Sequence, residues 1–216
     1  MATNSRESSC EVRAFAFLAI LGFLVVPIQS SGQTDNLPGN REARKPTIEP
    51  LVTTAVEHYE IRGGSFDDLR RELDAKGHGA AGTTTGSVTY RFKSEKSDGK
   101  CKIQDVRAEC SAKIRLPRWY DMNKAPIPMQ EFWIQAYSKL RKHEMGHVDI
   151  CVEVAKDVEK ALWATPVSQH CPHVNQEARA RADAVVRGMN ARQLAYDERE
   201  YGGASKQGQS KASVSN

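Results

Sequence analysis

The chain has no CxxC pair, no cluster of basic residues, no internal repeat and no apolar run long enough to cross a membrane. Each absence removes a class. Without CxxC pairs a structural zinc ribbon is not expected. The net charge is +4 at pH 7, but the charges are interspersed along the chain. A nucleic-acid footprint would need Lys and Arg gathered on one face, so no nucleic-acid partner is expected. Aromatic residues make up 7% of the chain and charged residues 27%. That balance fits a globular protein, and 216 residues leave room for one domain of roughly 100–150 residues plus tails.

The main apolar run, AFAFLAILGFLVV from Ala14 to Val26, is 13 residues long, whereas a spanning helix needs about 20. Arg6 and Arg13 precede it, and Pro27 and Ser30-Ser31-Gly32 follow. This charged, apolar, small-residue order predicts a secretory signal peptide over residues 1–32. The mature protein is then expected in the periplasm or outside the cell, with no stable membrane association. Cys10 lies before the apolar run, which argues against lipidation.

Removal of the leader leaves Cys101, Cys110, Cys151 and Cys171. An even number of cysteines in an exported chain predicts two disulfides. Cys101 and Cys110 fall on one expected strand, where nine extended residues span about 30 Å against the roughly 7 Å that a bridge allows. Bridges from that strand to Cys151 and Cys171 are therefore expected.

Residues 33–52 are polar and carry Pro38, Pro46 and Pro50, which reads as a linker. Ordered structure is expected over 53–203. Val56 to Arg62 is strand-like and stops at Gly63-Gly64. Ser65, with Asp68 three residues on, opens a helix that Gly77 ends. Val88, Tyr90 and Phe92 alternate with polar residues as a half-buried strand. After a polar turn over Ser94 to Lys100, Lys102 to Leu116 reads as its antiparallel partner, ended by Pro117. The period then changes. From Pro128 to Ala164, Trp133, Ala136, Tyr137, Leu140, Ile150, Val154, Val158, Ala161 and Leu162 recur at helical spacing. Pro166 and Pro172 bracket a break, Glu177 to about Arg199 reads as a second helix, and residues 204–216 as a disordered tail. The fold class expected is α+β: a β-α-β-β unit, a long helix and a second C-terminal helix.

The long helix carries His143-Glu144-Met145-Gly146-His147, an HExxH motif. Two His four residues apart point the same way on a helix and can grip one ion. Zinc (Zn2+) takes imidazole nitrogen and, in catalytic sites, keeps one position for water. Glu144, beside the first ligand, is placed to accept that water's proton. His143 and His147 continue the apolar stripe between Leu140 and Ile150, so both are expected to face the interior, where unpartnered polar groups are costly. The third ligand is open. Ile150 and Glu153 stand where the metzincin motif has Gly and His, which leaves Glu177, Asp183 or Asp197 on the second helix. His170 and His173 flank Cys171, where a disulfide would hold one near the metal, although a surface loop is the plainer expectation. His58 and His78 read as structural.

Taken together, HYEIRG with SFDDLRREL, GSVTYRF, CKIQDV leading into IRLPRW, KHEMGHVDI and NARQLAYDE resemble a family of bacterial secreted proteins predicted to be zinc-dependent proteases, long described as a domain of unknown function. The resemblance covers most of residues 56–203. It implies a small zincin-like α+β domain with His143 and His147 as ligands and Glu144 as catalytic acid/base. It also implies a Tyr-Asp pair near the end, matched by Tyr196 and Asp197, followed by a Thr and a His-Gly. Here the chain departs, with Glu200 and Gly202 at those places. Asp197 then leads as third ligand. Tyr196 or Tyr201 is a candidate oxyanion donor, with packing the competing role.

The function expected is an exported zinc metallopeptidase acting on peptide or protein substrates. A zinc hydrolase of a non-peptide cell-wall amide would use the same Glu144 chemistry. A non-catalytic zincin-fold binding module, its metal structural or lost, is the alternative from another class. The sequence does not fix oligomeric state.

Overall fold

A computed structural model describes residues 9–14 and 48–210, with side chains over residues 48–200. Most of the leader's apolar run, residues 33–47 of the linker and residues 211–216 of the tail lie outside the described residues. The elements run β1 (Ser9–Ala14), β2 (Leu51–Ile61), α1 (Phe66–Lys76), β3 (Gly82–Ser97), β4 (Lys100–Trp119), α2 (Ile127–Trp163), α3 (Cys171–Arg187) and α4 (Met189–Ser210), with one 3-10 turn at Met122–Lys124. The α+β class and the β-α-β-β unit, here β2-α1-β3-β4, are as the sequence predicts. Several boundaries differ: β2 begins already at Leu51, inside the expected linker, and β3 at Gly82, in a segment that reads as loop. The helical pattern expected from Glu177 begins already at Cys171 and breaks at Gly188 into two helices. Residues 204–216, expected as a disordered tail, are helical as far as Ser210.

The sheet has the order β1-β3-β4-β2. β3 and β4 form an antiparallel hairpin closed by Asp98-Gly99, both at positive φ (51° and 74°). That two-residue turn matches the twist of its strands, so the hairpin continues past the polar turn expected from Ser94. β2 runs parallel to β4, from Leu51↔Glu109 to Ile61↔Trp119, and β1 runs antiparallel to β3, from Ser9↔Ser87 to Ala14↔Gly82.

β4 changes which face it buries. Cys101 and Ile103 point inward, but from Ala108 the inward set becomes Ala108, Cys110, Ala112, Ile114 and Leu116. The pairing shifts from Arg91↔Arg107 to Lys93↔Gln104, and Asp105 there has φ 51°. One extra residue in a period-2 strand moves every later side chain to the opposite face. Pro117 does not end β4. It pairs with Tyr59, beyond the last β3 partner at Arg115, where one side of the strand is an edge and a missing N–H is tolerated.

Ser65 and Asp68 cap α1 reciprocally, Asp68 N–H to Ser65 Oγ at 3.2 Å and Ser65 N–H to Asp68 Oδ2 at 3.1 Å. α2 is 37 residues long, about 55 Å at 1.5 Å per residue. Its inner stripe packs with α3 on the inward face of β3 and β4, around Val88, Ile114, Leu116, Val154, Val158 and Leu162, all nearly or fully buried. A smaller core of Tyr59, Ile61, Leu69, Trp119 and Met129 seats α1 and the start of α2. The disulfides are Cys101–Cys171 and Cys110–Cys151. Each joins β4 to a helix, as the strand-length argument requires.

Candidate metal centre

His143 and His147 lie one turn apart on the inner stripe of α2, 4% and 1% exposed. α4 crosses them. Gln193, Tyr196 and Asp197 sit at i, i+3 and i+4 on that helix, so they share the face turned toward α2. His143 Nε2 and His147 Nε2 are 3.0 Å apart, and Asp197 Oδ1 lies 3.1 Å from each. In a zinc tetrahedron with bonds of about 2.0–2.1 Å, ligand atoms are about 3.3 Å apart. The three donors therefore need to spread by only a few tenths of an ångström to receive such an ion. Among the described residues, no other group of His, Cys, Asp and Glu converges in this way.

The electrostatics suit a cation. Burial holds the His143 imidazole down to about 4, with His147 acting in the same direction. The ring is therefore neutral near pH 7 and can offer a lone pair, as metal binding requires. Burial pushes the Asp197 carboxyl up, while its contact with His147 pulls it down. Two buried imidazoles and two carboxylates close together gain most from a positive ion at their centre.

Glu144 is fully buried, and burial pushes its carboxyl up to about 7, against the lowering effect of a hydrogen bond from Thr84 and with the Asp197 charge raising it further. Thr84, on β3, donates to Glu144 Oε2 at 2.7 Å. Among the described residues Oε1 has no hydrogen-bond partner. Gly82 faces that oxygen, and a Cβ there would stand 2.6 Å from it. A bare backbone thus borders the open oxygen. A buried acceptor without a partner costs about 1–3 kcal/mol, so this oxygen fits a site that another donor completes.

Of the other candidates, Glu177 pairs with Arg181 at 2.7 Å on the surface of α3. Asp183 accepts the Tyr90 hydroxyl at 2.6 Å. Neither joins the triangle. α3 turns its acids elsewhere, and only after Gly188 does the chain bring Asp197 across the histidines. His170 and His173 lie at the start of α3, outside the converging group. His58 Nε2 meets the Tyr137 hydroxyl at 3.1 Å, a bracing contact between β2 and α2. His78 sits in the turn after α1 with φ 53°. Tyr196 stacks on His143 with ring centroids 4.9 Å apart, and its hydroxyl donates to the His143 carbonyl at 3.4 Å. It therefore packs the ligands in this arrangement. The Tyr201 side chain lies outside the described residues.

The model of the family "Bacterial protein of unknown function (DUF922)" matches residues 56–203. The chain belongs to this family. No curated protein and no solved structure matches it. The part matched as DUF922 runs from within β2 into α4 and so contains every residue of the donor triangle, Glu144 and Thr84. The two disulfides fit a DUF922 protein made in an oxidising compartment. Among the described residues no helix is long and apolar enough to cross a membrane.

Sequence reasoning missed Thr84, Gly82 and Gln193. Gln193 had a readable signal, since it precedes Asp197 by four residues and must share its helix face. Thr84 had none, because it lies in a Gly/Thr-rich segment that reads as loop and becomes the first turnless stretch of β3.

Proposed function

We propose that this DUF922 protein is an exported zinc-dependent metallopeptidase in which Glu144 is the general base. The observation that carries the reading is the His143, His147 and Asp197 donor triangle with an open, buried carboxylate oxygen of Glu144 beside it. Residues at HExxH spacing occur by chance in many helices. Three donor atoms about 3 Å apart, two of them on buried imidazoles, are a much narrower coincidence.

His143, His147 and Asp197 would hold the ion, which supplies Lewis-acid polarisation of a carbonyl and acidifies a water. Glu144 Oε1 takes the proton from water, since Thr84 already occupies Oε2. A carboxyl held near neutrality is well matched to accept a proton and then return it to the departing amine. Tyr196 keeps the His143 ring in place by stacking. The substrate class proposed is peptide or protein, and the site of action the periplasm or the cell exterior. The burial of His143, Glu144 and His147 is what favours the competing reading, a zincin-fold binding module with a structural metal.

Glu144→Gln separates the two. The variant should keep about one zinc per chain by elemental analysis while turnover of a peptide library falls at least about a hundredfold. Equal turnover by both forms would refute Glu144 as base. Zinc in both forms with no hydrolysis by either would favour the binding module.

A further inference from the structure

We propose that Gln193 is the positioning residue of the metal centre. Its side-chain amide holds His147 in the tautomer that carries hydrogen on Nδ1 and presents a bare Nε2 to the ion. The inference rests on the metal-binding reading above and goes beyond it in naming what orients the ligand.

Gln193 is 3% exposed on α4 and touches His147 twice. Its Nε2 donates to the His147 main-chain carbonyl at 3.1 Å, and its Oε1 lies 2.6 Å from His147 Nδ1. A carbonyl oxygen can only accept, so the first contact fixes which end of the amide is the NH2 group. The other end is then an oxygen, which also can only accept. His147 Nδ1 must therefore carry the hydrogen. The neutral imidazole that a metal ion requires has one N–H, so in that form Nε2 is left with its electron pair. That nitrogen is the one 3.0 Å from His143 Nε2 and 3.1 Å from Asp197 Oδ1. The opposite tautomer would set two lone pairs against each other at 2.6 Å in a buried place and turn an N–H toward the ion's position.

The choice of an amide has its own reason. A carboxylate at residue 193 would accept from Nδ1 but could not donate to the His147 carbonyl. It would also place a third acid beside Asp197 and Glu144. Gln193 orients the ring without adding charge. Because Gln193 and Asp197 share one face of α4, the helix that delivers the third ligand also sets the second.

The test compares full-length wild type with Gln193→Leu and Gln193→Glu. Zinc affinity is read by competition with a chelator, and the His147 tautomer by 15N NMR of histidine-labelled, metal-free protein. Gln193→Leu should bind zinc about 10–100-fold more weakly, as loss of a ligand's outer partner typically does. Gln193→Glu, which keeps the acceptor, should stay within about threefold of wild type. Wild type should show hydrogen on Nδ1, and Gln193→Leu should shift toward hydrogen on Nε2. Wild-type affinity in a folded Gln193→Leu protein would overturn the proposal, as would hydrogen on Nε2 in wild type. Should Gln193→Leu fail to fold by circular dichroism, the wild-type spectrum alone decides. Should wild type bind no zinc, the metalloenzyme reading falls, while the spectrum still judges the clamp.

Discussion

Gly146 lies inside HExxH where the Tyr196 side chain of α4 meets α2. A Cβ built there would fall on the hydroxyl and ring of Tyr196, the side chain that stacks on His143. Two effects of Gly146→Ala oppose each other. Exchanging Gly for Ala inside a helix stabilises by about 1 kcal/mol, and overpacking a fitted contact costs about 1–3 kcal/mol. Alone, the substitution should range from neutral to about 2 kcal/mol destabilising. In a Tyr196→Ala background the obstruction is gone, so the same change should stabilise by about 1 kcal/mol. The double-mutant cycle should thus give a coupling of about 1–3 kcal/mol between residues 146 and 196. Guanidinium denaturation of the four metal-free proteins with disulfides intact measures it. A second readout concerns the site: displacing Tyr196 disturbs its neighbour Asp197, so zinc affinity should drop in Gly146→Ala. Equal stabilisation by Gly146→Ala in both backgrounds would refute the claim that α4 docks on this glycine.

Asp197→Asn removes the anionic corner of the donor triangle and should weaken zinc by more than about a hundredfold, beyond the range for outer partners; chelator competition checks this, and a smaller loss would point to a different third ligand. Thr84→Val keeps the shape but strips Glu144 Oε2 of its hydrogen bond, which should cost about 1.5–3 kcal/mol in denaturant unfolding and push the Glu144 carboxyl further up. Cys110→Ala with Cys151→Ala opens a loop of 41 residues, worth about 4 kcal/mol of loop-closure entropy. Its denaturation midpoint should fall accordingly, and an unchanged midpoint would show that the bridge adds nothing to stability.

Much of the fold was legible because its signals are local. The period change after Pro128 marks the helix, Ser65 and Asp68 mark a cap, and Val88, Tyr90 and Phe92 mark an alternating strand. The bulge at Asp105 was not legible. An Asp at positive φ in a strand is dictated by how β4 must meet both β3 and α2, and nothing nearby in sequence announces it. The break at Gly188 escaped for a related reason: a single Gly inside a helical pattern can be tolerated or can end the helix, and packing decides which. In the site, His143, Glu144 and His147 were readable from spacing alone. Asp197 was one of three acids open on the second helix and took the lead only with the family resemblance, since its partners lie about fifty residues away. Thr84 was hidden altogether, because a strand residue opposite a helix is fixed by tertiary register.

One stripe of α2 explains why the centre tolerates so little rotation. Glu144 is tied to Thr84 on β3, His147 to Gln193 on α4 and Cys151 to Cys110 on β4. These positions are three and four residues apart, so they share one face, and each holds a different neighbouring element. A helix turns about 100° per residue. A slip of one residue would break a covalent bond and two sets of buried hydrogen bonds at once, and would swing both imidazoles out of line with Asp197. The covalent tether is the least reversible of the three, and it lies one turn beyond His147. The rotational setting of the ligands therefore depends on oxidation of Cys110 and Cys151, so the reduced protein should bind zinc more weakly than the oxidised one even where it remains folded.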